Sequence, residues 1–222
     1  MEYRKEELLI CAVARLLEGI GHIAVGVASP IPGSASLLVQ ALSEGRTCVS
    51  MLNSRRQYFT NGSTEIFDMA AQGRLDAFFL GGGQIDGQAN INLVGVGDYP
   101  QQEVRWSGSF GSAFLYFMVP RVILFREEHT TRVMVPKVDF VSAPGTSPPG
   151  VHRPGGPHAM VTGRCVFSFD KQRERFRLES VHPGQSVEDV LENTGFEFDL
   201  PDHVPTTPEP EPERLALVRG QV

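Results

Sequence analysis

The sequence predicts an α/β chain: an open, mainly parallel sheet with helices on both faces. Three observations carry this. Amphipathic helical stretches alternate with short apolar runs through the first eighty residues. Those runs are continuous rather than alternating, the mark of strands buried on both faces of a parallel sheet. Finally, 41% hydrophobic against 21% charged residues over 222 positions allows a sizeable core.

Taken in order, Leu8, Leu9, Ala12, Val13, Leu16 and Leu17 recur at helical spacing, with Gly19 placed as a C-cap. His22 to Ala28 (HIAVGVA) reads as a buried strand. A second helix is expected from Ser34 to Glu44 and a strand from Thr47 to Leu52. Thr64 to Gln72 is again amphipathic, with Thr64 as N-cap and Gly73 as stop. Leu75 to Leu80 (LDAFFL) is a short apolar strand that runs into three glycines. Strand-like runs follow at Ile91 to Val96, Val122 to Phe125, Thr131 to Val135, Met160 to Phe169 and Phe176 to Val181. A Pro/Gly-rich surface loop, Ala143 to Pro157, interrupts them. Ser186 opens a last helix, with Asp189 as its capping-box acid and Gly195 as its stop. Residues 1–200 read as one domain. Residues 201–222 read as a Pro- and Glu-rich tail, extended over the surface or on a neighbour.

Several function classes are excluded. Net charge is -6 and no Lys/Arg run exceeds a pair, so nucleic acid is not the expected partner. Cys11, Cys48 and Cys165 match neither a zinc spacing nor a disulfide framework, which suits a reducing cytoplasm. The first residues carry acids where a signal peptide has none. The longest apolar run, Ala113 to Val119, is too short to span a bilayer. His22, His152, His158, His182 and His203 lie outside any cluster of ligating residues, so no metal is expected.

The segment richest in chemistry is Leu80-Gly81-Gly82-Gly83-Gln84-Ile85-Asp86, with Asn90 and Asn92 beyond. Three glycines after a buried strand let a backbone approach a ligand, and their N–H groups suit an oxyanion formed in acyl transfer. The same glycines also suit a tight turn that only needs positive φ; the residues alone leave both readings open. Gly108-Ser109-Phe110-Gly111-Ser112 is a second glycine loop but no nucleophile elbow, because Ser107 stands where the first glycine belongs. No P-loop lysine follows any glycine cluster. His129, after Glu127-Glu128, reads either as an acid–base or ligand-binding group or as a structural hydrogen-bonder. Arg55-Arg56 could hold a carboxylate or phosphate, or be solvated.

GGGQIDGQANINLVGVGDY (Gly81 to Tyr99) resembles the β-subunit signature of family I CoA-transferases. Arg105-Trp106-Ser107-Gly108 through Gly111 is similar to the R-x-x-G-x-x-G loop of the glutaconate CoA-transferase branch. His129, Lys137-Val138-Asp139, Val141-Ser142-Ala143-Pro144-Gly145, Gly155-Gly156-Pro157, His182-Pro183-Gly184 and Glu192-Asn193-Thr194-Gly195-Phe196 follow in the family's order. The resemblance implies the CoA-transferase fold and a fold-related α subunit, as an α2β2 heterotetramer with the active site between subunits. It implies a CoA thioester as substrate and no resident cofactor. Gly82, Gly83 and Gln84 would form the oxyanion turn, whose shape Asp86, Asn90 and Asn92 would hold. Gly81, Asn90, Asn92, Gly108, Gly111 and His129 would border the acyl-CoA.

Two departures accompany this. The family's β glutamate, which attacks the thioester, belongs at the end of the strand Thr47 to Asn53, yet no acid occurs between Gly45 and Thr64. Ser50, Met51 or Asn53 cannot exchange thioesters as a carboxylate does. Ala89 also replaces a family glycine. The chain is therefore expected to be the β subunit of an acyl-CoA-processing enzyme. The alternatives are a non-transferring relative (a C–C hydrolase or decarboxylase) and a non-catalytic subunit that completes its partner's CoA pocket.

Overall fold

The apolar runs of the first eighty residues become short strands, largely buried in β1 and β3 and half-exposed in β2, in the computed structural model, which describes residues 2–220 and 222. The elements there are α1 (Lys5–Arg15), β1 (His22–Val25), α2 (Pro30–Leu42), β2 (Cys48–Met51), α3 (Gly62–Ala71) and β3 (Ala77–Leu80). β1 is central and pairs in parallel with β2 (His22↔Cys48 to Val25↔Met51) and with β3 (Ile23↔Ala77, Ala24↔Phe78). All four residues of β3 are buried, as a two-faced parallel strand requires.

α2 starts four residues earlier than expected. Pro30 and Pro32 fit a first helical turn, where their missing N–H groups would have no partner anyway. Gly33 lies against β2, with Met51 Sδ 3.7 Å from where a β-carbon would stand. Asn61, not Thr64, precedes α3, and Glu65 accepts from Thr60 Oγ1 (2.8 Å) and Asn61 N–H (2.9 Å).

The tail differs from its expectation: α6 (Pro212–Gly220) packs on α1 and α2. The stretch through Phe79 and the chain from Pro208 onward form one compact unit, and Leu80–Thr207 forms another. Ion pairs recruit the acidic tail. Arg15 donates to the carbonyls of Pro208 and Glu209 (both 2.8 Å) and to Glu211 Oε1 (3.0 Å), while Arg214 meets Glu18 at 2.6 Å. Arg219 forks onto Glu7 at 2.7 and 3.0 Å, and Glu7 is only 1% exposed. That guanidinium, with the Arg4 N–H, holds the Glu7 carboxyl down to about 2 against the burial that opposes it. Arg219→Ala is expected to cost roughly 3 kcal/mol in urea unfolding at pH 7, by stranding a buried carboxylate. The pair's contribution is complete above the ordinary carboxylate range and fades as pH falls toward 2. The variant should therefore lose less stability on acidification than the parent.

The second unit contains β4 (Gln84–Ile85), β5 (Ile91–Asn92), β6 (Gly95–Val96), β7 (Val104–Arg105), α4 (Ser112–Met118), β8 (Arg121–Arg126), β9 (Pro157–Thr162), β10 (Cys165–Asp170), β11 (Arg175–Val181) and α5 (Val187–Asn193). β8 and β9 are parallel, while β9, β10 and β11 are successively antiparallel. β4–β5 and β6–β7 form two small antiparallel ribbons. Aromatic rings fill the core: Phe167 meets Phe198 edge-on at 5.1 Å, and Phe176 stacks on Phe196 at 5.6 Å. The class is α/β, with a mixed, mostly parallel sheet flanked by helices.

Three expected strands are corrected. Ile91 to Val96 breaks in two because Asn92 Oδ1 captures the N–H groups of Val94 (2.9 Å) and Gly95 (3.3 Å), bending the chain. Met160 to Phe169 is a hairpin rather than one strand, turning at Gly163-Arg164 between β9 and β10. Thr131 to Val135 is a turn in which Thr130 O accepts from Val133 and Met134; only a bridge from Met134 to Ile85 remains. Among the described residues no helix is long and apolar enough to cross a membrane.

Candidate functional site

The glycine turn follows β3 and enters β4. Each glycine is closely packed on its side-chain face. A β-carbon on Gly81 would stand 2.8 Å from Phe125 O, and one on Gly82 would stand 2.7 Å from Ile91 Cγ2. On Gly83 it would collide with Cη2, Cζ3 and Cζ2 of Trp106. The turn is therefore obligatorily side-chain-free. The Gly83 N–H donates to Asn92 O at 2.9 Å, so this amide is already engaged.

Gln84 and the two asparagines hold the turn from behind. Buried Gln84 donates from Nε2 to Asp139 Oδ2 (3.1 Å) and accepts at Oε1 from Asn92 Nδ2 (2.7 Å) and Asp139 N–H (3.0 Å). Asn92 Nδ2 also donates to Gly95 O at 2.7 Å. Asp86 Oδ1 accepts from the Gln88 and Asn90 N–H groups, and its Oδ2 accepts from Asn90 Nδ2 at 3.1 Å. Asn90 Oδ1 accepts from Gly145 N–H at 3.1 Å, tying in the Ala143 loop. Ala89, where the family carries glycine, sits at φ 60 and its carbonyl accepts from Tyr116 Oη at 2.9 Å. All four polar side chains thus have their hydrogen-bonding groups engaged within the turn and the segments packed on it.

His129 is 3% exposed. Its Nε2 lies 2.9 Å from Thr194 Oγ1 and its Nδ1 lies 2.8 Å from Thr162 Oγ1. Thr194 gives its own proton to Val190 O (2.7 Å), so Nε2 carries the ring proton and Nδ1 accepts from Thr162. Burial, with the charge of Arg164 and then His182, lowers its pKa to about 4. The ring builds scaffold and presents no nitrogen to a ligand here. Gly108 (φ 101) has open space beside it, and Gly111 precedes α4 as its N-cap. Trp106 is placed by the β6–β7 ribbon, through its N–H to Val94 O at 2.9 Å. In sequence it and Asp139 stood only inside larger motifs; the contacts that give them roles are non-local.

At the end of β2, Leu52 N–H donates to Val25 O and Met51 N–H to Gln57 O. Asn53 turns at φ 64, Ser54 Oγ accepts from the N–H groups of Arg56 (3.2 Å) and Gln57 (2.9 Å), and Gln57 Nε2 reaches Gln40 Oε1 at 3.0 Å. This closed loop is free of acids. Ser50 Oγ lies 2.9 Å from His22 Nε2. Beside Met51 is a cleft of about 730 Å³ also lined by Gln40, Glu44, Arg55 and Arg56. Glu44 is the one acid in that lining among the described residues.

A family model described as "Coenzyme A transferase" matches residues 4–193. The chain belongs to the coenzyme A transferase family. One of the subunits of glutaconate CoA-transferase from Acidaminococcus fermentans is 34% identical over 151 residues, 65% of this chain and 56% of that protein. The IpdB polypeptide of the cholesterol ring-cleaving hydrolase from Rhodococcus jostii is 31% identical over 159 residues, 70% of this chain and 62% of that protein. The chain thus matches less than two thirds of the length of these curated relatives. The crystal structure of Rhodococcus jostii IpdAB superposes with a TM-score of 0.87 at 25% identity, covering 99% of this chain and 94% of that one. Within the coenzyme A transferase family the chain is related to the β subunits, as the glycine-turn signature implied.

Proposed function

We propose that this chain is the β subunit of a heteromeric acyl-CoA-processing enzyme that does not park CoA on this subunit. The observation that carries the reading is the acid-free end of β2, where transfer needs a carboxylate nucleophile. A fold-related α subunit in an α2β2 assembly would complete the site and supply any general base. Exposed apolar side chains on α4 and the loop before it support such a cover: Phe114 is 40% exposed and Phe110 70%. The thioester carbonyl would meet the turn Gly82–Gly83–Gln84. Because the Gly83 N–H already donates to Asn92, the contact falls to the Gly82 N–H, with Gly83 and Gln84 keeping the turn narrow and fixed. An enolate or oxyanion held there would serve C–C hydrolysis or decarboxylation. The relatives include proteins named as CoA-transferase subunits and one named as part of a ring-cleaving hydrolase, so it is the missing carboxylate that favours this over transfer.

Mass spectrometry of the separated subunits, after incubating the purified complex with acyl-CoA, tests the proposal. This chain should carry no CoA-sized increase, and product should form without an acceptor acid. An adduct mapped to Glu44, Glu65 or any other acid of this chain would restore ordinary transfer. An adduct on the partner alone would make this chain the non-catalytic half of a transferase. Assembly is tested separately: the chain purified alone should not be a monodisperse monomer that binds acyl-CoA at micromolar concentration.

A further inference from the structure

One side of the glycine turn is walled by an aromatic ring. The outer edge of the Trp106 six-membered ring rests against Gly83, so closely that no β-carbon fits between them. The ring is partly exposed rather than sealed into the core. Its position is fixed from behind: Gly95 pairs with Arg105, and the Trp106 N–H bonds Val94 O. The side chain of Asn92 grips both Val94 and Gly95 and also bonds Gln84 of the turn itself. Turn and indole are therefore held by one network.

We infer that Trp106 is a specificity-determining residue whose indole walls the acyl subsite and selects apolar, alicyclic or flat acyl groups. This rests on the reading of Gly82–Gln84 as the thioester-facing turn. A carbonyl that reaches the turn must lay its acyl group alongside the ring standing on Gly83. An aromatic face is apolar and carries the negative side of the ring quadrupole. It rewards burial of a hydrocarbon ring and disfavours a carboxylate set a few bonds from the carbonyl. Short dicarboxylic acyl groups are accordingly rejected. The loss of ~50 Å² of apolar contact corresponds to about tenfold in affinity.

The chain has one tryptophan, so 5-fluorotryptophan labelling gives a single fluorine resonance. The labelled chain, assembled with unlabelled partner subunit, is titrated with coenzyme A, succinyl-CoA and cyclohexanoyl-CoA, with affinities from calorimetry. Cyclohexanoyl-CoA should bind at least about tenfold more tightly than succinyl-CoA and move the resonance. Trp106→Ala should erase that preference, and Trp106→Phe should restore most of it. If the thioesters bind but the resonance stays fixed, or Trp106→Ala keeps the preference, the wall is wrong while the acyl-CoA reading stands. A preference for succinyl-CoA also overturns the wall. If no CoA compound binds the assembled complex, the acyl-CoA reading falls and takes this inference with it.

Discussion

Gly83→Val is expected to lower acyl-CoA turnover by the assembled enzyme by at least about a hundredfold, the scale on which small displacements at a reacting centre act. The valine side chain meets the Trp106 ring and must push it or the turn aside. Overpacking of this kind costs about 1–3 kcal/mol, so part of the loss could come through stability alone. The double variant Gly83→Val/Trp106→Gly separates the two effects, because removing the indole relieves the collision. Stability in urea should largely return. Turnover should stay far below that of the Trp106→Gly single variant, since the valine still crowds the backbone that the thioester must reach. Turnover that recovers in step with stability would make the glycines a packing requirement and nothing more. Circular dichroism and co-elution with the partner establish that each variant is folded and assembled.

Acid should weaken the second unit through His129. Its pKa is about 4 when folded, against an ordinary 6.5, so the unfolded chain takes up the proton first. The neutral ring's contribution is complete above pH 6.5 and is lost as pH falls through about 4. The shift corresponds to about 3 kcal/mol at most. Protonating Nδ1 would also set a ring N–H against the hydroxyl proton that Thr162 now donates to it. Urea unfolding of the parent should show stability falling between pH 7 and 4.5. His129→Gln should be less stable at pH 7 yet flatter over that window. A parent profile that rises on acidification would mean the ring binds its proton in the folded state.

The first eighty residues were legible in element order because apolar strand segments there alternate with amphipathic helices, although the starts of α2 and α3 were misplaced by prolines and a glycine inside their first turns. α4 was not: after Ser112 it lies in the unbroken apolar run Ala113 to Val119, which has no period to read. α6 was hidden by its composition, since Leu215 is its single buried anchor and prolines and acids precede it. Its order comes from arginines that no local pattern links to it, such as Arg15 and the distant Glu7–Arg219 pair. In the candidate site the turn itself was legible from its glycines. The supports of the turn were not, because Gln84 meets Asp139 across 55 residues and Gly83 meets Trp106 only through a separate ribbon. The burial of His129 was hidden for the same reason: Thr162 and Thr194 are 33 and 65 residues away.

The clasp of α6 on α1 has a consequence for biosynthesis. Glu7 is translated well before its partner, which is 212 residues downstream. At ~5–20 residues per second of translation, roughly 10–40 s pass before the guanidinium exists. The whole of Leu80–Thr207 is made in that interval. The nascent α1 must spend it with its acidic side chain hydrated and its docking face for α6 uncovered. Leu80–Thr207 can thus condense before α1 is sealed, reversing the usual N-to-C order of maturation for these two parts of the chain.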